Sequence, residues 1–409
     1  MEEAKLPIEE QIELLKARLK RLSGCKADDI HVVYAPLRIS PLGAHVDHQD
    51  GLVTGMTLDR AIVLVFAPRN DRQVRVESCN FSGQVVFDLD DIPPKTPGDW
   101  GNYVRGAATA LQQVHRLAVG LDAVVEGRMP IGGLSSSAAV GIAYLMAFEV
   151  ANGLEMAPEE NIQLDRYIEN EYLGLRNGIL DQSMILMGEH DALTFLDCHT
   201  VEFETIPIPS DKNSFDILVV YSGVKKALVG TDYNQRVNEC QEAARQLLAW
   251  AGHPIPDAPR LRHVPETIYD ELNARLPAPL DRRARHFFSE VRRVRAGVAA
   301  WRAGDIAQVG QLMRESGASS IYNYESGCPQ LVTLYRILSE LPGVYGARFS
   351  GGGFRGACIG LSDPAYREEI EAALTARYLQ AHPDMAGLYG VYFCKSDGPA
   401  RLLNHNGNR

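Results

Sequence analysis

Ile8, Ile12, Leu15, Leu19 and Leu22 step along the chain by threes and fours. That spacing places them on one face of a helix, which Gly24 is suited to end. The pattern then changes to short apolar runs bounded by turn residues. These runs predict strands over His31–Ala35, Ala61–Ala67, Gln73–Ser78, Gln84–Leu89 and Ala123–Gly127. Helical periodicity returns at Tyr103–Leu117, Ser136–Asn152 and Glu159–Leu173, and strands again at Leu193–Asp197, Val201–Ile206 and Ile217–Tyr221. From Tyr233 to Leu341 the chain reads as mostly helical, broken by the proline-rich HPIPDAP from His253. Strands near Gly346–Phe349, Ala357–Leu361 and Val391–Cys394 come next, and 401–409 reads as a loose tail. The mixture predicts an α+β protein of two lobes, residues 1–210 and 211–409.

Three stretches carry more polar or glycine residues than turns require. The first, APLRISPLGAHVDHQDG, gathers Arg38, His45, Asp47 and His48 around Gly43, with a plain Ala44 among them. The second, MPIGGLSSSAAVGIAYLM, leads glycines and serines straight into a helix. Small residues let backbone approach a ligand closely, and a helix N-terminus offers free N–H groups to phosphate. No lysine comes after the glycines, so this is not a Walker A loop. The third, RFSGGGFRGAC, matches GxGxxG by its letters at Gly351, Gly353 and Gly356. The adjoining run, ACIGLS, reads as a strand rather than a helix, which argues against a dinucleotide site. A glycine-rich turn pressed on a ligand or on the phosphate loop fits instead.

Composition narrows the partners. A net charge of −11 without a long basic run argues against nucleic acid and anionic membrane surfaces. No apolar run is long enough to span a bilayer. Seven scattered cysteines without a CxxC pair predict reduced thiols in a cytoplasmic protein. Oligomeric state is not legible.

Taken together, the three motifs resemble the GHMP kinase superfamily, and within it most closely the galactokinases. DWGNYVRGA, LRNGILDQSMILMG and YSGVKKALVGTDYNQRVNECQEA resemble further galactokinase segments. The resemblance implies two α+β lobes with ATP and a sugar in the cleft between them. It implies that Asp181 is the base or orienting group at the anomeric hydroxyl, with Arg38 beside it. It implies that Ser137 and Glu169 hold Mg²⁺, and that Gly132, Gly133, Leu134, Ser135 and Ser136 surround the phosphates. Trp100 falls near the adenine wall. His45, Asp47, Gly178 and Tyr233 match sugar-contacting positions. Gly351, Gly352 and Gly353 match the motif that supports the cleft.

The departures bear on the substrate. Galactokinases carry a glutamate where this chain has Ala44, and that glutamate binds the hydroxyl on carbon six. A uronic acid has a carboxylate there, which a glutamate would repel, so Ala44 removes charge and makes room. His48 stands in place of a tyrosine. Arg176 precedes Gly178 where the family is uncharged, and is the first expected partner of a carboxylate. His48 is the second, with Lys225, Lys226 and Arg355 behind them. These variants resemble the galacturonic acid kinase branch, which implies a sugar-acid substrate, D-galacturonate. The alternatives are a kinase for galactose, glucuronate or arabinose, or a sensor that binds sugar and ATP without turnover. The second motif is one residue shorter than usual, and the third has Arg355 where galactokinases have glycine.

Overall fold

The computed structural model describes residues 7–130, 133–208, 215–224 and 232–403. In chain order the first part holds α1 (Ile8–Ser23), β1 (His31–Ile39), β2 (Leu52–Pro68), β3 (Gln73–Ser78), β4 (Gln84–Asp88), α2 (Asn102–Gln112), β5 (Leu121–Gly127), α3 (Ser136–Asn152), α4 (Pro158–Tyr167), α5 (Leu180–Met187), β6 (Ala192–Asp197) and β7 (Phe203–Pro207). The second part holds β8 (Asp216–Tyr221), α6 (Tyr233–Trp250), α7 (Glu266–Leu272), α8 (Leu280–Arg302), α9 (Ile306–Ser319), α10 (Pro329–Glu340), β9 (Val344–Phe349), β10 (Ala357–Ser362), α11 (Arg367–Ala381), β11 (Gly390–Cys394) and β12 (Arg401–Leu403).

Two sheets organise the molecule. The first runs β12-β1-β2-β5-β3-β4, with β6 on the opening half of β2 and β7 on β6. Its pairs are antiparallel apart from β3 with β5. The second runs β11-β8-β10-β9, antiparallel throughout. The expected boundary at 210 lies outside the described residues. Helix α3 packs on β1 and β2 and against α2 and α4. It is apolar nearly all round, as a helix enclosed on several sides must be.

Several elements differ from the sequence expectation. Strand β2 is 17 residues long, not the seven of Ala61–Ala67. Its first half, rich in Gly and Thr, lacks the apolar run that marks a strand. Gly55 there lets Met184 of α5 lie against the backbone, where a Cβ would come within 2.3 Å of its side chain. The expected tail begins instead as β12, with Val32, Val33 and Tyr34 of β1 opposite Leu403, Leu402 and Arg401. Three residues carry no period of their own, so only the waiting edge of β1 makes them a strand. Helix α2 stops at Gln112, short of the expected Leu117. The expected Glu159–Leu173 helix widens into a π-turn over Ile168–Leu173 before Gly174 ends it in the left-handed region. Helix α11 was not anticipated.

Candidate active site

Strand β1 is irregular between Pro36 and Arg38, where its pairing with β2 shifts register. Proline cannot donate to the ladder, and such irregularities re-aim the next side chain. Arg38 lies just past this point, 2% exposed, with its N–H donating to the Leu134 carbonyl of the phosphate loop at 3.3 Å. Its Nε and Nη2 both donate to Asp181 Oδ1, at 2.8 and 2.5 Å. Asp181 sits in the first turn of α5. With both arginine nitrogens on Oδ1, no described residue donates to Oδ2.

Asp47 lies behind this pair. Its Oδ2 accepts the Gly178 N–H at 3.1 Å, and a Cβ on Gly178 would meet the Asp47 backbone at 2.5 Å, so glycine is required there. Burial, aided by the Asp181 charge, pushes the Asp47 carboxyl up to about 6. His45 adopts φ 55° and stacks on Tyr324, ring centroids 4.2 Å apart, with Ser326 Oγ 3.2 Å from its Nε2. The Tyr233 ring meets His48 edge-on at 6.0 Å.

The glycine turn after β9 touches both loops. A Cβ on Gly351 would sit 3.1 Å from the Gly133 Cα, and one on Gly353 would sit 2.9 Å from the His45 ring. Gly133 itself has φ 85° and fits against the Ala357 N–H, which a Cβ would approach to 2.8 Å. Gly352 is half-buried beside them. Ser135 takes a left-handed conformation ahead of α3, and Ser136 and Ser137 form its first turn. Gly132 lies outside the described residues.

Glu169 is buried at the start of the π-turn. Asn177 donates to its Oε2, and the Ser137 hydroxyl lies close enough to favour its ionised form. Its Oε1 is buried without a partner. Burial, then the Asp181 charge, raises this carboxyl to about 7. Trp100 donates its Nε1–H to the Ser82 carbonyl at 3.2 Å and stacks on Phe81.

Two expected carboxylate partners are otherwise engaged. Arg176 is exposed and donates to Asn238 at 2.5 Å and Gln241 at 3.1 Å, both on α6. The ring nitrogens of His48 face Tyr324 Oη and Gln49 Nε2, each at 3.0 Å. Burial and the neighbouring His286 push His48 down to about 3, so it is neutral rather than cationic at neutral pH. Lys225 and Lys226 lie outside the described residues.

Sequence reasoning missed how the first loop is held. Glu290 of α8 is fully buried, and its Oε1 accepts the N–H groups of Gly43 (2.8 Å) and Ala44 (3.0 Å) and the Ser316 hydroxyl (2.7 Å). Arg293 donates to its Oε2 at 2.8 Å. Burial alone would raise this carboxyl, but Arg293, His286 and Arg348 outweigh it and hold it at about 2. His286, one turn earlier, has its Nε2 2.7 Å from the Ala44 carbonyl and its Nδ1 2.9 Å from Ser319 Oγ. Ala44 is thus pinned through both its N–H and its carbonyl. The available signal was in α8, where Arg283, His286 and Glu290 interrupt an apolar face at helical spacing.

Comparison with known proteins places the chain in a family. Residues 102–189 match the GHMP kinases N terminal domain and residues 297–380 the GHMP kinases C terminal domain. The chain is 42% identical to a galacturonokinase of Arabidopsis thaliana, over 97% of this chain and 99% of that one. It is 35% identical to a galactokinase of Roseiflexus, over 91% and 93% of the two chains. The fold superposes on that of Lactococcus lactis galactokinase complexed with galactose, with a TM-score of 0.88 and 27% identity over 95% of this chain and 99% of the other. A Methanococcus jannaschii mevalonate kinase shares the fold alone, with a TM-score of 0.61 and 16% identity over 89% of this chain and 98% of that one. The chain belongs to the GHMP kinase family, among its galactokinase-like sugar kinases.

Proposed function

We propose that the protein transfers the γ-phosphoryl group of ATP to the anomeric hydroxyl of D-galacturonate, giving galacturonate 1-phosphate and ADP. The arrangement of Arg38 on a single oxygen of Asp181 carries the reaction. It orients the carboxylate and leaves Oδ2 to accept the hydroxyl proton as the oxygen attacks phosphorus. Phosphoryl transfer asks chiefly for positioning and charge neutralisation. The first turn of α3 supplies N–H groups and dipole for the phosphates. Asp47, held by Gly178, and His45, held by Tyr324 and Ser326, would meet the sugar hydroxyls.

A divalent cation fits the other side of the site. Glu169 has a buried oxygen without a partner and a carboxyl raised by burial and by the Asp181 charge. Glu169 and Ser137 would hold Mg²⁺, whose chemistry is to neutralise the triphosphate.

Ala44 supports the sugar acid, as does similarity to the Arabidopsis galacturonokinase. Two carboxylates are already here, buried Glu290 against the loop and half-buried Asp47 within it. A third at position 44 would face the substrate's own. No helix among the described residues is long and apolar enough to cross a membrane, and no disulfide joins the cysteines.

The test is phosphorylation by ATP and Mg²⁺ of galacturonate, glucuronate, galactose and arabinose. Galacturonate is expected to turn over best. Asp181→Ala should lose roughly 10²- to 10⁴-fold in kcat, the usual contribution of a positioned base. Preference for galactose would overturn the substrate, and binding of both ligands without turnover would favour a sensor.

A further inference from the structure

Most arginines around the cleft have an acceptor. Arg38 has Asp181, Arg236 has Glu239, Arg283 has Glu239 and Glu325, Arg293 has Glu290, and Arg348 has the Ser40 carbonyl at 2.6 Å. Arg355 is different. No described residue accepts a hydrogen bond from it, and its Nε is buried without a partner. The titratable groups that bear on it are the hydroxyls of Tyr103 on α2 and Tyr221 on β8, not carboxylates. Burial accordingly pushes its guanidinium below the usual arginine range. A half-buried cation with no counter-charge is costly unless an anion completes the site.

The location says which anion. Arg355 belongs to the turn between β9 and β10, whose Gly351 packs on Gly133 of the phosphate loop. The turn is anchored from behind, where Ser222 donates its N–H and its hydroxyl to the Gly356 carbonyl at 2.8 and 2.7 Å. Tyr103, the neighbour of Arg355, also feels the charges of Glu169 and Asp165 on the metal side of the cleft. The guanidinium therefore stands near a phosphate-binding helix start that has no lysine of its own. We propose that Arg355 binds the polyphosphate of the nucleotide, supplying the cation that a Walker A lysine supplies elsewhere. The inference rests on the reading that ATP phosphates lie at the start of α3. A planar guanidinium can donate to two phosphate oxygens at once.

The experiment compares Arg355→Gln and Arg355→Lys with the unaltered protein. It uses steady-state kinetics in ATP and in galacturonate, and equilibrium binding of ADP and of adenosine. For Arg355→Gln, KM for ATP and Kd for ADP should rise by roughly tenfold or more, the scale of a charge-assisted contact. Adenosine binding and KM for galacturonate should stay within twofold. Arg355→Lys should recover part of the ADP affinity, and it carries the test if the glutamine variant fails to fold. Unchanged ADP affinity overturns the proposal. So does a rise confined to KM for galacturonate, which would make Arg355 a partner of the sugar carboxylate. If the unaltered protein binds no ADP, the reading of the nucleotide site fails first.

Discussion

Around the first loop, many buried polar side chains have partners, Arg38 Nη1 and Arg348 Nε being exceptions. Glu290 accepts three hydrogen bonds on one oxygen, His48 has a partner on each ring nitrogen, and Ser326 lies against His45. Around the start of α3, more buried polar side chains lack one. Ser135 Oγ, Ser350 Oγ, Glu169 Oε1, both oxygens of Asp165 and Arg355 Nε are buried without a partner. The first loop is thus held largely from within, as the proposed reading of sugar hydroxyls would require. The start of α3 keeps more capacity open, as the proposed nucleotide and cation would require. Buried polar groups are normally paired, so a concentration of unpaired ones marks where charge is to be received.

The sharpest way to break this contrast is at the clamp. Glu290→Ala should destabilise the protein by about 3–5 kcal/mol, because it leaves Arg293 and two loop N–H groups buried without their acceptor. Denaturant titration would read this as a lower midpoint at constant slope. KM for galacturonate should rise while KM for ATP holds. An unchanged midpoint would mean that the loop keeps its shape without α8.

Ala44→Glu probes the same loop from the substrate side. It should cut kcat/KM for galacturonate on the order of 100-fold, as befits like charges brought together in a partly dry site. Ala44→Gln should lose less, since it adds bulk without charge. Unchanged galacturonate kinetics would remove charge as the reason for Ala44.

The smallest effect lies at the phosphate end. Glu169 has an ordinary pKa of 4.5 and is raised in the fold to about 7. The folded state therefore binds a proton more tightly than the unfolded one. Its contribution to stability is complete below 4.5 and is lost as pH rises through about 7. In a chelator, the Tm should fall over that window, and Glu169→Gln should make the fall shallower. Asp47 and Glu149 are raised in the same sense, to about 6 and about 7, so the slope should diminish without vanishing. An identical slope in the variant would show that the Glu169 carboxyl is not raised.

Much of this molecule was legible in its residues. α3 begins and ends where its serines and Gly153 predict, and β3 occupies Gln73–Ser78 as expected. Arg38, Asp181, Asp47 and Gly178 stand close together, although more than a hundred residues separate the two stretches that carry them. The clamp from α8 was not legible, nor were β12 and the first half of β2.

What the sequence determined by itself was local. Apolar period, glycine placement and motif chemistry stem from each residue's own φ/ψ freedom, propensity and functional groups, so they can be read in a short window. Only the tertiary structure decided which charged groups face one another. Glu290 lies 247 residues along the chain from Gly43, whose N–H it accepts. Arg176 is engaged by Asn238 and Gln241 of α6, and His48 was left neutral by burial. Pairing and desolvation depend on what the rest of the chain brings alongside, and a one-dimensional pattern does not contain that information.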